Sequence, residues 1–249
     1  MPHMKKWNIY LINLARSNER LKACARQFEA FDLPFERIDA VDGDDLSNTD
    51  MDALYNFSQS AYHKHLTSGE IGCYLSHIRV WQKIVDEQLD YAVVLEDDVI
   101  LQDNIQQGLA VIESIEQPWD IIKLAEVPIK RKVIRQYAVN NFSLVIYNKL
   151  PSGTCAQVVS LAGAKKLLAL SGKIARPIDI ELQYWWNINL STFGLKPYIV
   201  EANEAEKSEI NRRQARRKAK QSLFKKAVSG FYFLFKNKKE LKKRLDKLN

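Results

Sequence analysis

Apolar residues along the chain fall in short unbroken runs that alternate with longer stretches of helical spacing, the pattern of an α/β sheet protein. Trp7 to Leu14 (WNIYLINL) reads as a first buried strand, and Ser17 is placed to cap a helix carrying Leu21, Cys24, Ala25 and Phe28. Phe35 to Val41 alternates as a second strand and ends in the turn residues Asp42, Gly43, Asp44 and Asp45. Ser47 to Lys64 is polar with weak periodicity, and is expected to form a long loop or short irregular helices. Thr67 and Glu70 make a capping box ahead of a helix with the stripe Ile71, Tyr74, Ile78, Trp81 and Val85. Glu70, Cys73 and His77 share the neighbouring stripe, with Ser76 beside it. Tyr91 to Leu101 (YAVVLEDDVIL) reads as a strand buried on both faces, with Glu96, Asp97 and Asp98 at the carboxyl end of its first run. A helix (Asp103 to Glu116), a strand (Trp119 to Leu124), a hairpin turning at Asn140-Asn141 (Lys132 to Lys149), a strand (Thr154 to Ser160) and a helix (Ala162 to Ser171) follow. Pro177 then opens a helix with Asp179 in its first turn, and Lys196 to Val200 closes the body as a short strand.

Composition adds one boundary to this picture. The 249 residues are 46% hydrophobic, enough for one sizeable domain or a domain with an appendage. The net charge of +7 divides unevenly: residues 205 to 249 hold 16 Lys and Arg against 4 Asp and Glu, which leaves the body acidic. Residues 1 to 204 are therefore read as the folded domain and 205 to 249 as a basic helical tail. In the tail, Arg212, Arg213, Arg216, Arg217, Lys218, Lys220, Lys225 and Lys226 precede the apolar patch Phe231 to Phe235. That patch is far short of the roughly 20 residues that span a bilayer. An amphipathic helix lying on an anionic membrane surface is expected, the plainer reading being a solvated basic helix. Basic clusters with aromatic residues also suit nucleic acid, but the acidic body holds no recognisable nucleic-acid module, and no nucleic acid is expected. No leader and no spanning segment is visible, so a cytoplasmic protein, peripheral on the membrane, is expected. Cys24, Cys73 and Cys155 have no disulfide or metal spacing and read as buried apolar residues.

The acidic triplet carries the chemistry. Ligands of open α/β sheets bind at the carboxyl ends of strands, and three adjacent carboxylates repel unless a cation or solvent neutralises them. A hard divalent ion, Mn²⁺ or Mg²⁺, is expected on Asp98 with Asp97 and Glu96; the plainer reading makes one of them a helix cap. Asn13, Arg16 and Arg20 gather where the first strand meets its helix, where phosphate or the edge of a base is well held. Asp179, Gln183 and Trp186, spaced for one helix face, describe a sugar-facing wall of acid, amide and ring.

The ordered set IYLINLARSNER, AVDG, GEIGCYLSH, VVLEDDV, GTCAQVVSLAGAKKLL and RPID resembles glycosyltransferase family 25, over about residues 7 to 200. That family includes bacterial lipooligosaccharide galactosyltransferases and collagen-modifying relatives. The resemblance implies a GT-A-type fold with a mostly parallel Rossmann-like sheet, a UDP-sugar donor and a divalent metal. It implies inverting transfer of galactose from UDP-galactose, here onto a lipooligosaccharide or lipopolysaccharide core, as a glycan or lipid-linked acceptor. In that frame Asn13, Leu14, Arg16, Arg20, Ser76, His77, Glu96 and Asp97 line the donor, and Asp179 is the general base with Glu181 second. No His follows Asp98, so the third, carboxyl-proximal His ligand of some GT-A enzymes has no counterpart. A metal-dependent nucleotidyltransferase is the alternative enzyme, but the chain has no glycine-rich phosphate loop.

Overall fold

Strands β1 (Trp7–Asn13) and β3 (Tyr91–Glu96) are the two apolar runs at the centre of the molecule, and the pleat divides their side chains between two cores. Ile9, Leu11, Val93 and Leu95 face one core; Tyr10, Ile12, Ala92 and Val94 face the other. The computed structural model describes residues 5–56, 60, 62–127, 129–170, 172–203 and 223–248.

These strands lie in an eight-stranded sheet of order β2-β1-β3-β8-β5-β9-β7-β6, completed by β2 (Glu36–Asp39), β5 (Ile121–Lys123), β6 (Val133–Val139), β7 (Phe142–Tyr147), β8 (Ala156–Ser160) and β9 (Thr192–Lys196). Six strands run one way, and β8 and β7 run against them. The sheet is therefore mostly parallel in direction although its neighbouring pairs are mixed. This is the GT-A-like α/β arrangement that the resemblance implies. β1 connects outward to β2, and the chain then crosses back to place β3 on the other side of β1. The crevice at the carboxyl ends of β1 and β3 is thus a topological switch point.

Helices α1 (Asn18–Ala30) and α4 (Ile105–Ser114) cover the first core, and α3 (Ser68–Asp86), α5 (Leu161–Ala169) and α6 (Ile178–Gln183) the second. The Thr67/Glu70 capping box starts α3, and a second box, Ser47 with Asp50, starts α2 (Asn48–Leu54) inside the stretch expected to be irregular. Ser17 stands at the α1 N-cap without a side-chain cap bond. Gly43 and Gly72 let α3 press on the AVDG loop: a Cβ at Gly72 would stand 2.5 Å from the Val41 carbonyl oxygen.

The chain departs from expectation at its closing strand. Lys196 to Val200 is not one strand, because Pro197 cannot donate to a ladder; β9 ends at Lys196, and β10 (Val200–Ala202) pairs instead with β4 (Val99–Leu101). Beyond it, α7 (Leu223–Lys247) lies against the body: Phe233 and Asn237 are buried, and Arg244 reaches Thr192. Arg212, Arg213, Arg216, Arg217, Lys218 and Lys220 lie outside the described residues.

Candidate active site

The three consecutive acids point to different sides, as the alternation of the pleat requires. Asp97 continues the parity of Val93 and Leu95 and turns toward α1, where Asn13 Nδ2 donates to it at 2.7 Å and Arg20 at 3.0 Å. Asn13 is buried and is itself held, its Oδ1 accepting from Arg37 at 2.9 Å. The Cys24 thiol donates to the Asp97 backbone carbonyl. Both carboxylate oxygens of Asp97 are therefore occupied by a rigid network that ties β1, α1 and the end of β3 together.

Glu96 faces the other way, toward α3. Its Oε1 meets His77 Nε2 at 3.1 Å and accepts from the Thr154 hydroxyl at 2.5 Å. Burial alone would raise the Glu96 pKa; the bonds from His77 and Thr154 outweigh it and hold the carboxyl below its ordinary range. Cys73, one turn before His77, brings its thiol into the same group, all three ligand atoms lying within 4.8 Å. Burial, reinforced by the charges of Glu96, Asp179 and Asp98, pushes that thiol well up, so Cys73 is a neutral neighbour. Glu96 and Asp98, at and just beyond the end of β3, and Asp179 in α6 thus act on one side chain from two segments.

Asp179, in the first turn of α6, is largely desolvated, and burial raises its pKa; amide donors from Ile180 and Gly153 and the charge of Lys123 oppose the rise. Lys123, at the end of β5, is 1% exposed and donates to the Gly153 carbonyl at 2.7 Å and to Gln157 Oε1 at 3.0 Å. Its burial pushes its pKa down to about 8, with Cys155, Asp179 and Glu96 opposing.

Several expected site residues have other partners. Ser76 is buried, accepting from the Val41 amide at 2.8 Å and donating to the Gly72 carbonyl at 2.7 Å, so it fastens α3 to the AVDG loop. Glu181 is gripped through both oxygens by Arg176, each at 2.8 Å, which occupies it as a structural ion pair. Arg16 pairs with Asp42, and Leu14 closes the turn that leads to Ser17. The wall of Asp179, Gln183 and Trp186 does not form, because α6 stops at Gln183. Gln183 donates inward to Leu150, and Trp186, in a 3-10 turn, meets Tyr184 and Phe233 ring against ring. Thr154, Lys123 and Gln157 join the site without having been singled out; the only signal was a polar residue inside each apolar strand run.

The comparisons with known proteins agree on a family. The model of glycosyltransferase family 25 (LPS biosynthesis protein) matches residues 6–182. Procollagen galactosyltransferase 2 of Homo sapiens is 30% identical over 192 residues, covering 72% of this chain and 30% of that protein. A Bos taurus protein named as a probable inactive glycosyltransferase 25 family member 3 is 31% identical over 215 residues, covering 77% of this chain and 36% of that protein. The chain thus spans about a third of the length of these curated relatives. A solved glycosyltransferase involved in glycosylation of the major capsid of PBCV-1 covers 82% of this chain and 98% of its own at 10% identity, with a TM-score of 0.47, too loose a likeness to carry an argument. Family names therefore include active and inactive proteins, and any activity has to be argued from the site; the chain itself belongs to glycosyltransferase family 25.

Proposed function

We propose that the protein is an inverting glycosyltransferase that moves galactose from UDP-galactose to a hydroxyl of a lipid-linked oligosaccharide of the lipopolysaccharide core type. The observation that carries this reading is Glu96 at the carboxyl end of β3, held by His77 and Thr154 on the α3 side of the switch-point crevice, with Asn13, Arg20 and Asp97 locked on the other. Glu96 and Asp98 are the residues that would hold Mn²⁺ or Mg²⁺. Both bonds to Glu96 fall on Oε1, and among the described residues no hydrogen bond falls on Oε2. Asp97 does not fit as a ligand, since Asn13 and Arg20 occupy it. When bound, the ion supplies positive charge that stabilises the departing diphosphate.

The chain's own groups do the rest. Asn13, Arg16 in the turn after β1 and the α1 residue Arg20 border the nucleotide side, and the Asn13-Asp97-Arg20 network keeps that floor from reorganising as charge develops. Asp179 takes the proton of the attacking hydroxyl while the new bond to the anomeric carbon forms and the bond to the diphosphate breaks, its electron pair leaving with the diphosphate. A carboxylate whose pKa is raised by burial is better matched to that proton than a solvated one. Glu181 is not free to substitute, being held by Arg176. No helix among the described residues is long and apolar enough to cross a membrane. The outer face of α7 supports peripheral attachment: Phe224, Phe231, Leu234 and Phe235 are exposed beside a row of lysines.

The test is release of UDP from UDP-galactose by the full chain without acceptor, with and without Mn²⁺. Metal-dependent release is expected. Binding of the donor with no turnover under any condition would place the protein with the inactive members and overturn the reading.

A further inference from the structure

Among the described residues, one group of three metal-ligating side chains converges, and it is not the acidic triplet. Cys73, His77 and Glu96 bring a thiol sulfur, a ring nitrogen and a carboxylate oxygen within 4.8 Å of one another. Cys73 and His77 stand one turn apart on α3, so the helix presents both on the face that meets the end of β3. The same spacing serves zinc sites whose ligands come from one helix. His77 is fully buried, which fixes its ring, and its Nε2 lies 3.1 Å from Glu96 Oε1. Two ligand atoms bonded to one tetrahedral zinc ion stand about 3.3 Å apart. Among the described residues the other ring nitrogen, Nδ1, has no hydrogen-bond partner. Only Glu96 therefore decides where the ring proton sits, and with the proton on Nδ1 the Nε2 lone pair is free for a metal. The Glu96 side chain is 26% exposed, which leaves a way in from the crevice. Thr154, donating to Glu96 Oε1 at 2.5 Å, gives the outer support that orients a ligating carboxylate.

The ligand types select the ion. Thiolate and imidazole suit Zn²⁺ and are poor ligands for Mg²⁺. We propose that Cys73, His77 and Glu96 form a binding site for Zn²⁺, which shares Glu96 with the hard-ion pair Glu96 and Asp98 and so excludes the hard ion when filled. Zinc bound there draws Glu96 toward α3 and inhibits transfer. Binding rests on these three side chains alone; inhibition also rests on Glu96 serving the ion that assists transfer. Burial keeps Cys73 a thiol in the absence of metal, so its proton passes to solvent as the zinc–sulfur bond forms. If Cys73 only fills space against the second core, none of this follows.

The experiment is titration of the metal-free full chain with Co²⁺, a spectroscopic stand-in for Zn²⁺, followed by displacement with Zn²⁺. A single equivalent of Co²⁺ is expected to give a thiolate-to-cobalt charge-transfer band and the intense visible bands of a four-coordinate ion, and Zn²⁺ is expected to abolish both. Cys73→Ala should lose the charge-transfer band, and His77→Asn should weaken binding about 100-fold, each variant being checked for folding by thermal melting. A wild-type chain without the band, or a band that survives in Cys73→Ala, overturns the site. Wild-type affinity in His77→Asn overturns it equally, and decides the matter if Cys73→Ala does not fold. Hydrolysis of UDP-galactose with Mn²⁺ is the second readout. Zn²⁺ at about ten times its dissociation constant should lower the wild-type rate about tenfold, and Cys73→Ala, measured against its own zinc-free rate, should escape most of that loss. Undiminished hydrolysis with zinc bound overturns the exclusion. Absence of hydrolysis under every condition removes the transferase reading and the inhibition with it, while the cobalt spectrum still decides the site.

Discussion

The two halves of the sheet differ in how completely their charges are paired. In the β2-β1-β3 half, Asp97 is met by Asn13 and Arg20, Arg37 by Asn13 and Asp39, and Glu36 and Glu87 by Lys83. In the β8-β5-β9 half, Asp120 is met by Lys166 and Glu181 by Arg176, but Lys123 is buried on neutral acceptors and the half-buried Asp179 accepts from the Ile180 amide, and burial pushes the pKa of each of these two toward its neutral form. Opposite charges in contact stabilise a frame, whereas desolvated charges without such contact store the free energy that proton transfer uses. The paired half is thus suited to hold an anionic donor without moving, and the unpaired half to do acid-base work. Mutations should separate along this line: those in the first half cost stability, and those in the second cost turnover.

The largest effect is expected at Asp179. Asp179→Asn should lower kcat by about 10² to 10⁴-fold, the usual contribution of a positioned general base, with little change in donor affinity. Stability should move the other way. The folded-state pKa of Asp179 is raised, so the folded protein binds its proton more tightly than the unfolded chain. Its contribution to stability is present at low pH and is lost as pH rises through the folded pKa. Asn should accordingly melt slightly higher than wild type at pH 7, and the gain should vanish below pH 4. A variant that melts lower and keeps its turnover would make Asp179 only a helix-start carboxylate.

Next come the acids of β3, which the comparison splits. Asp98→Asn should abolish metal-dependent turnover and leave the melting point near wild type. Arg20→Met should cost about 2 to 3 kcal/mol of stability by leaving a mostly buried Asp97 without its cation, with any residual turnover still responding to Mn²⁺. If EDTA-stripped protein turns over at the full rate, Glu96 and Asp98 are not ligands. If Arg20→Met proves as stable as wild type, the paired half is not a frame.

Much of this was readable from the chain. The apolar runs of β1 and β3 and the Thr67/Glu70 box placed the switch point and the α3 start, because each depends on neighbours in sequence. The three acids were less legible as a unit: adjacency suggests a shared ion, while the pleat sends Asp97 to α1 and Glu96 to α3. Lys123 was illegible because a lysine ending a strand reads as solvent-exposed, and only β8 on one side and β9 on the other bury it. The tail misled in a similar way. Arg244 looks like one more solvated cation, yet it lies over the Trp185 and Phe193 rings and donates to Thr192, and burial pushes its pKa down to about 10.

A smaller effect is expected from pH at Glu96. Its folded pKa is lowered, so it contributes stability above its unfolded pKa, near 4.5 as for an ordinary glutamate, and loses it as pH falls through the folded value. Thr154→Val removes one of the two bonds that hold it and should cost about 1 kcal/mol at pH 7. That cost should shrink on acidification below pH 4. A pH-independent cost would mean that the hydroxyl matters for packing and not for the carboxylate.

The smallest effect per residue concerns α7, and it tests whether the outer face of this helix binds an anionic membrane. Among the described residues, the docked side of α7 meets the turn after α6, Asn148 after β7, Thr192 of β9, Arg135 of β6 and Ser60. Phe233 packs on Tyr184 and Trp186, Asn237 donates to the Asn148 carbonyl at 2.8 Å, and Lys225 donates to Ser60 at 3.0 Å. The outer side exposes Phe224 (80%), Phe231 (76%) and Phe235 (63%), with Lys226, Lys238, Lys239 and Lys242 along the same helix. Aromatic rings at the headgroup boundary flanked by lysines suit an anionic bilayer, each cation being worth about 1 kcal/mol near such a surface. Truncating the tail would uncover Trp186 and Thr192 and confuse anchoring with folding, so point changes on the outer side are the cleaner test. Phe231→Ser should weaken sedimentation with phosphatidylserine vesicles severalfold at low salt while leaving melting and UDP-galactose hydrolysis unchanged, and raised salt should release the wild type. Phe233→Ser should do the reverse, lowering the melting point and turnover with less effect on vesicle binding. Equal vesicle binding by wild type and Phe231→Ser would remove the outer face of α7 as the anchor.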